Sequence, residues 1–245
     1  MKVAYKLKLG FSFEKDLVLP KHYNHTLQGF FYENMDRMLS RFFHDIGFPY
    51  NNRTFKLFTF SNIIGNLKAE YQNQIVYEPP NMYIYFSTPV IGAMKSIVNR
   101  VIRNDRLRLS KNIINLSEIE ITEEPIDQDE IKIECLSPIV VYRTPIGSKR
   151  HIYFSPFENE FYELLRINIL KKYRIIYGRD YDGDFEITPA KVKKEYMRKV
   201  FFDKTFIIGY DGQFYIRADK DMLKVALECG LGVKNSAGFG CIMKV

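Results

Sequence analysis

Four histidines, His22, His25, His44 and His151, are the side chains of this 245-residue chain whose ordinary pKa lies near neutrality. No two of them stand at the spacing of a helical metal pair with a carboxylate nearby, so neither a zinc site nor a two-metal nuclease is expected. The three cysteines, Cys135, Cys229 and Cys241, are scattered and odd in number, which argues against a cysteine zinc site and against a disulfide framework. The sequence has no G-x-S-x-G elbow and no Walker loop. What remains is acid–base chemistry by His, Tyr and Lys, with no metal and no cofactor. That set suits attack of an RNA 2′-OH on its own 3′-phosphate. The reaction needs a base for the 2′ proton, an acid for the leaving 5′ oxygen, and a cation against the charge that builds on phosphorus.

The carboxyl-terminal run Gly230-Leu231-Gly232-Val233-Lys234-Asn235-Ser236-Ala237-Gly238-Phe239-Gly240 carries a second chemical signal. Two glycine pairs bracket Lys234, Asn235 and Ser236. Glycine permits positive φ and close approach of backbone, so the run reads as a loop pressing N–H groups against phosphates. A plain turn from helix to last strand would need fewer glycines and no lysine.

These groups need elements to place them. Met1–Leu9 alternates as a strand, with Val3, Tyr5, Leu7 and Leu9 on one face and Lys2, Lys6 and Lys8 on the other. The apolar stripe Leu27, Phe30, Phe31, Met35, Met38, Leu39 and Phe42 predicts a helix from Tyr23 to Phe43. Lys56–Ile64 and Asn81–Ser87 read as strands, and Pro89 opens a second helix striped by Ile91, Met94, Ile97, Val98 and Val101. Extended structure over Arg106–Thr122 completes a β-α-β-β-α-β order. The acidic stretch Glu123–Glu130 predicts a linker. The order then repeats: a strand over Ile131–Tyr142, a helix over Glu158–Tyr173, a long hairpin over Phe185–Arg217, a helix capped by Asp219, and a last strand. The expected fold is therefore α+β, with two tandem ferredoxin-like domains spanning 1–124 and 125–245.

Lys and Arg outnumber Asp and Glu by 36 to 29, a formal charge of +7 that favours a polyanionic partner. Lys191, Lys193, Lys194, Arg198 and Lys199 load the hairpin arm, and Arg100, Arg103, Arg106 and Arg108 cluster after the second helix. Such runs are commonly solvated faces; opposite an RNA they would grip phosphates. No apolar run approaches the length of a membrane span, and the amino terminus lacks a signal-peptide core, so a cytoplasmic protein is expected.

The run Tyr23-Asn24-His25-Thr26-Leu27-Gln28-Gly29 resembles the CRISPR-associated endoribonucleases that cut repeat RNA, the Cas-six family of the RAMP superfamily. Lys56-Leu57-Phe58-Thr59-Phe60-Ser61, Leu136-Ser137-Pro138-Ile139-Val140, Glu160-Phe161-Tyr162 and the glycine loop share in the resemblance, which covers nearly the whole chain. It implies metal-independent cleavage of precursor CRISPR RNA to 2′,3′-cyclic phosphate and 5′-OH ends. It also implies that Tyr32 and His44 share the proton transfers and that Lys56 stabilises the transition state. Under the same resemblance, the hairpin cations and Gly230, Gly232, Lys234, Asn235, Ser236, Gly238 and Gly240 bind RNA. Effector-complex subunits and a second copy of the chain are further partners left open.

One geometric condition follows. Twelve residues separate Tyr32 from His44, about 18 Å along a continuous helix and roughly 120° around it. A bend between Asp36 and Phe43 is required if both are to flank one phosphate. His25, seven residues before Tyr32 and on the same helical face, is the alternative acid–base partner. The rival functional classes are a non-catalytic RNA-binding RAMP subunit and a tandem ferredoxin-like metabolite-binding protein.

Overall fold

The alternation of the first strand feeds two apolar environments, which organises the molecule. In the computed structural model, which describes residues 2–245 apart from Asp105 and Lys149, β1 spans Lys2–Ser12. Its Leu7, Leu9 and Phe11 enter one core, while Ala4 enters a second. Next come β2 (Leu17–Pro20), α1 (Asn24–Glu33), α2 (Arg37–Arg41) and a π-helical turn over Phe42–Ile46. β3 (Phe48–Tyr50) and β4 (Arg53–Phe55) form a small hairpin. β5 (Thr59–Phe60), β6 (Ile64–Glu70), β7 (Gln74–Ser87), α3 (Ile91–Ile102), β8 (Leu107–Leu109) and β9 (Asn112–Ile126) follow. The first sheet has the order β2-β7-β1-β9-β8, with β5 and β6 also paired to β7. Leu27, Phe30 and Phe31 of α1 and Ala93, Met94 and Ile97 of α3 close its core.

The second sheet draws on β10 (Glu130–Cys135), β13 (Glu186–Lys191), β16 (Gln213–Arg217) and β17 (Ile242–Lys244) in the order β13-β16-β10-β17. α4 (Asn159–Tyr177) and α5 (Lys220–Cys229) pack on it through Phe161, Leu165, Ile169, Met222 and Leu223. Between β10 and α4 lies the two-stranded pair β11 (Tyr142–Arg143) and β12 (Ile152–Tyr153). β14 (Met197–Phe202) and β15 (Thr205–Tyr210) extend the hairpin arm. Asp219 caps α5 as expected, accepting from Met222 N at 2.8 Å.

Several elements differ from expectation. Glu123–Ile126 is no linker: it is the end of β9, paired with Lys2–Tyr5, and only 127–129 turn. Glu124 is buried there because it meets the Lys6 ammonium, which also donates to Leu227 O of α5 at 3.1 Å. Lys6 is thus a buried tie between the first sheet and α5. Within Lys56–Ile64 only Thr59–Phe60 and the β6 start at Ile64 are strand, because Leu57 takes φ +49° and turns the chain off the sheet. No helix among the described residues is long and apolar enough to cross a membrane.

Candidate active site

The expected single helix over Tyr23–Phe43 is interrupted, and the interruption brings its side chains together. At the end of α1, Asn34 folds its amide onto Phe30 O at 2.9 Å, and its backbone N–H takes the same carbonyl. Asp36 then starts α2 in extended geometry, its carboxylate accepting from Met38 N at 2.9 Å. The break therefore falls at 34–36, just before the expected window. A second departure lies further on, where the helix widens to the π form at Phe42 and Gly47 N bonds Phe42 O at 2.6 Å.

Gly47 ends that turn at φ +64°, and a Cβ there would lie 2.6 Å from Thr54 Cγ2 and 2.7 Å from Phe55 O. The glycine lets the helix end sit directly on the β3–β4 hairpin. Lys56, the residue after β4, thereby donates from Nζ to His44 O at 2.6 Å.

The Tyr32 and His44 rings meet edge to face at 5.4 Å, where an unbroken helix would hold them about 18 Å apart. Tyr32 rests also on Phe58, and burial, with a smaller contribution from Asp45, pushes its phenol up to about 12. It is a neutral proton donor at physiological pH. The His44 side chain is 69% exposed, and Nδ1 bonds Asp45 Oδ1 at 2.7 Å. With the proton on Nδ1, Nε2 carries the lone pair. The bond from His44 holds the Asp45 carboxyl below its usual range. Burial lowers the Lys56 ammonium, an effect Asp45 partly offsets. One Lys56 proton is taken by His44 O, and an ammonium has three.

Lys56 also lines a cleft of about 300 Å³ with Arg53, Tyr142, Asn168, Lys172 and the 232–236 stretch of the glycine loop. The loop is differently built from expectation. Gly230, Gly232, Gly238 and Gly240 are buried, and the N–H groups of Gly230, Gly238 and Gly240 donate to Ala226 O, Asn235 O and Pro138 O. The glycines allow close packing within the chain, which engages the N–H groups of Gly230, Gly238 and Gly240. Lys234 is exposed at the cleft, while Asn235 and Ser236 are partly buried beside it.

The motifs behind the sequence resemblance hold this loop. Asn24 Nδ2 donates to Ala237 O and Gly238 O, and Gln28 Nε2 donates to Ser236 O at 2.7 Å. Ser137 Oγ accepts from Cys241 N and donates to Phe60 O. Sequence reasoning missed the roles of Asn24, Gln28, Gly47, Asp45 and Lys172. Lys172 had left a trace, as a lysine inside the apolar stripe Leu165–Ile169–Tyr173 of α4.

The hairpin cations stand apart. Lys191, Lys193, Lys194, Arg198 and Lys199 are exposed, and none lines the cleft. Arg198 is bound to Asp211 at 2.8 Å, and Lys199 lies 4.4 Å from the centre of the Phe206 ring. His25 faces Phe202 and His22 faces Phe206, so both belong to the arm's contact with α1 rather than to the Tyr32 corner. Among the described residues, no three His, Cys, Asp or Glu side chains gather as a metal site would require.

The fold is shared with solved structures at low sequence identity. It superposes with a TM-score of 0.84 on a structure titled as a Cas6-related protein of Pyrococcus furiosus, at 20% identity over 98% of both chains. A structure titled "An RAMP protein binding different RNA substrates" matches with a TM-score of 0.83 at 19% identity, over 98% of this chain and 99% of that one. Residues 18–120 match the family described as "CRISPR-associated protein Cas6, N-terminal", and residues 121–243 match "CRISPR associated protein Cas6, C-terminal". The chain belongs to the Cas6 family. Among curated relatives, the CRISPR-associated endoribonuclease Cas6 of Pyrococcus furiosus is 29% identical, over 94% of this chain and 85% of its own. An endoribonuclease Cas6 of Methanocaldococcus jannaschii is 25% identical, over 100% and 94%.

Proposed function

We propose that this protein is an endoribonuclease that cuts precursor CRISPR RNA within each repeat and releases guide units. The observation that carries this reading is the convergence of Tyr32, His44 and Lys56 at the edge of a cation-lined cleft, in a chain of the Cas6 family. His44 Nε2 takes the proton of the 2′-OH as its oxygen bonds to phosphorus. The bond to the 5′ oxygen breaks, and that oxygen takes a proton from the Tyr32 phenol. The ammonium of Lys56 faces the phosphoryl oxygens, where negative charge accumulates. The products are a 2′,3′-cyclic phosphate and a 5′-OH, and no metal enters the scheme.

The two sheets support a tandem ferredoxin-like architecture, with units at 1–124 and 125–245. In each, the first long strand (β1, β10) pairs with the last (β9, β17) on one side and with the third (β7, β16) on the other. Lys234 and Ser236 contact the RNA backbone in the cleft, and the four loop glycines shape the chain that presents them. Lys191, Lys193, Lys194 and Lys199 give the arm a separate, salt-sensitive contact with RNA outside the cleft.

The test is single-turnover cleavage of repeat RNA in EDTA, with a 2′-deoxy substitution at the cut site as control. Cleavage in EDTA that the deoxy substitution abolishes is expected. A metal requirement, or cutting of the deoxy substrate, defeats the mechanism.

A further inference from the structure

Lys172 of α4 is 2% exposed and sits among the apolar residues of its helix, yet its ammonium touches no carboxylate. It donates to Gly230 O at 2.8 Å, to Gly232 O at 3.1 Å and to Asn235 Oδ1 at 2.7 Å. Those three bonds use all three ammonium protons, and every acceptor belongs to the glycine loop. Asn235 continues the tie, donating from Nδ2 to Leu231 O at 2.9 Å and Phe239 O at 3.0 Å, across the two limbs of the loop.

A buried cation without an anion is costly, and a leucine or methionine would pack in that stripe without the cost. The groups that face it do not compensate. Cys229 of α5 is a neutral thiol, pushed up to about 12 by burial. Arg53 and Lys56 from the β4 segment, Lys234 from the loop and the Tyr142 phenol line the same cleft, and no carboxylate does among the described residues. Burial accordingly pulls Lys172 down to about 8.

We propose that Lys172 is a positioning residue for RNA binding and cleavage: its ammonium clamps the Gly230 and Gly232 carbonyls and the Asn235 amide in the one arrangement that carries Lys234 and Ser236 into the cleft beside Lys56. The role in RNA chemistry rests on the function proposed above; the clamp itself does not. RNA phosphates in the cleft supply the missing negative charge and favour the ammonium over the amine. Free Lys172 loses its proton near pH 8, and bound Lys172 keeps it to higher pH. Binding therefore takes up a proton above pH 8, and affinity falls as pH rises through that value.

The experiment uses the full chain, its Lys172→Met and Lys172→Arg variants, and repeat RNA made uncleavable by a 2′-deoxy cut site. Amide exchange at pH 7 reads the free loop, and RNA titrations from pH 7 to 9.5 read binding. Lys172→Met is expected to lose roughly tenfold protection at Leu231, Val233 and Gly240 and to bind RNA roughly tenfold more weakly. Lys172→Arg is expected to restore binding while flattening the pH dependence, because a guanidinium does not titrate in this range. Wild-type protection and affinity in Lys172→Met overturn the inference. Should that variant fail to fold, identical pH slopes for wild type and Lys172→Arg overturn it instead. Loop amides freed in Lys172→Met, alongside wild-type protein that ignores repeat RNA, uphold the clamp and remove the functional reading.

Discussion

The corner holding Tyr32, His44 and Lys56 meets the glycine loop at one cleft, which Lys56 lines, but the two are built on opposite terms. At the corner, a 69% exposed imidazole rides on a π-helical turn, and few contacts hold it beyond Asp45 and the ring of Tyr32. In the loop, Gly230, Gly232, Gly238 and Gly240 are buried, and carbonyls and amides of the chain answer one another across it. The corner can lose a side chain and keep its shape. The loop cannot gain one.

Three substitutions press on that contrast, the largest effect first. His44→Ala should lower the single-turnover rate by about 10²–10⁴-fold while leaving RNA affinity and melting temperature near wild type. A rate within threefold of wild type would take the histidine out of the reaction. Gly240→Ala tests the other side: its Cβ would lie 1.9 Å from Leu231 O at φ +67°. It should cost about 2–4 kcal/mol in denaturant unfolding, with RNA binding lost in step. Unchanged stability would mean that the loop is looser than its hydrogen bonds imply. Lys234→Ala, on the exposed lip, should weaken RNA binding severalfold and reduce the salt slope by about one, with the rate at saturating enzyme unchanged. An unaltered salt slope would leave the loop as a turn without a grip.

The contrast also explains what the sequence disclosed. The apolar stripes announced α1 and α3, because burial of one helix face repeats at fixed spacing, and the Asp219 cap announced α5. Tyr32, His44 and Lys56 were legible only through resemblance; spacing alone argued against the first pair. The break that joins them rests on Asn34 and Asp36, polar residues that bond their own backbone rather than forbidding a helix as proline does. No local rule distinguishes that pair from two solvated helix residues. The glycines were visible and their close packing was not, since a list of residues does not say whether a glycine admits a ligand or another part of the chain. Lys172 and Gln28 reach the loop from 63 and 208 positions away, beyond any pattern read along the chain.

Strand β9 runs unbroken from the first sheet to within three residues of the second, and α5 lies against the back of β1, with Lys6 plugged into Leu227 O between them. Ala4, Leu57 and Ile126 complete the second core from outside its sheet. The first sheet thus supplies side chains to the second core. On the proposed mechanism the Tyr32–His44–Lys56 arrangement is in place without substrate, so the bending needed to align a 2′-OH with its phosphate falls on the ribose chain. Repeats whose backbone kinks readily at the cut position would then be processed fastest.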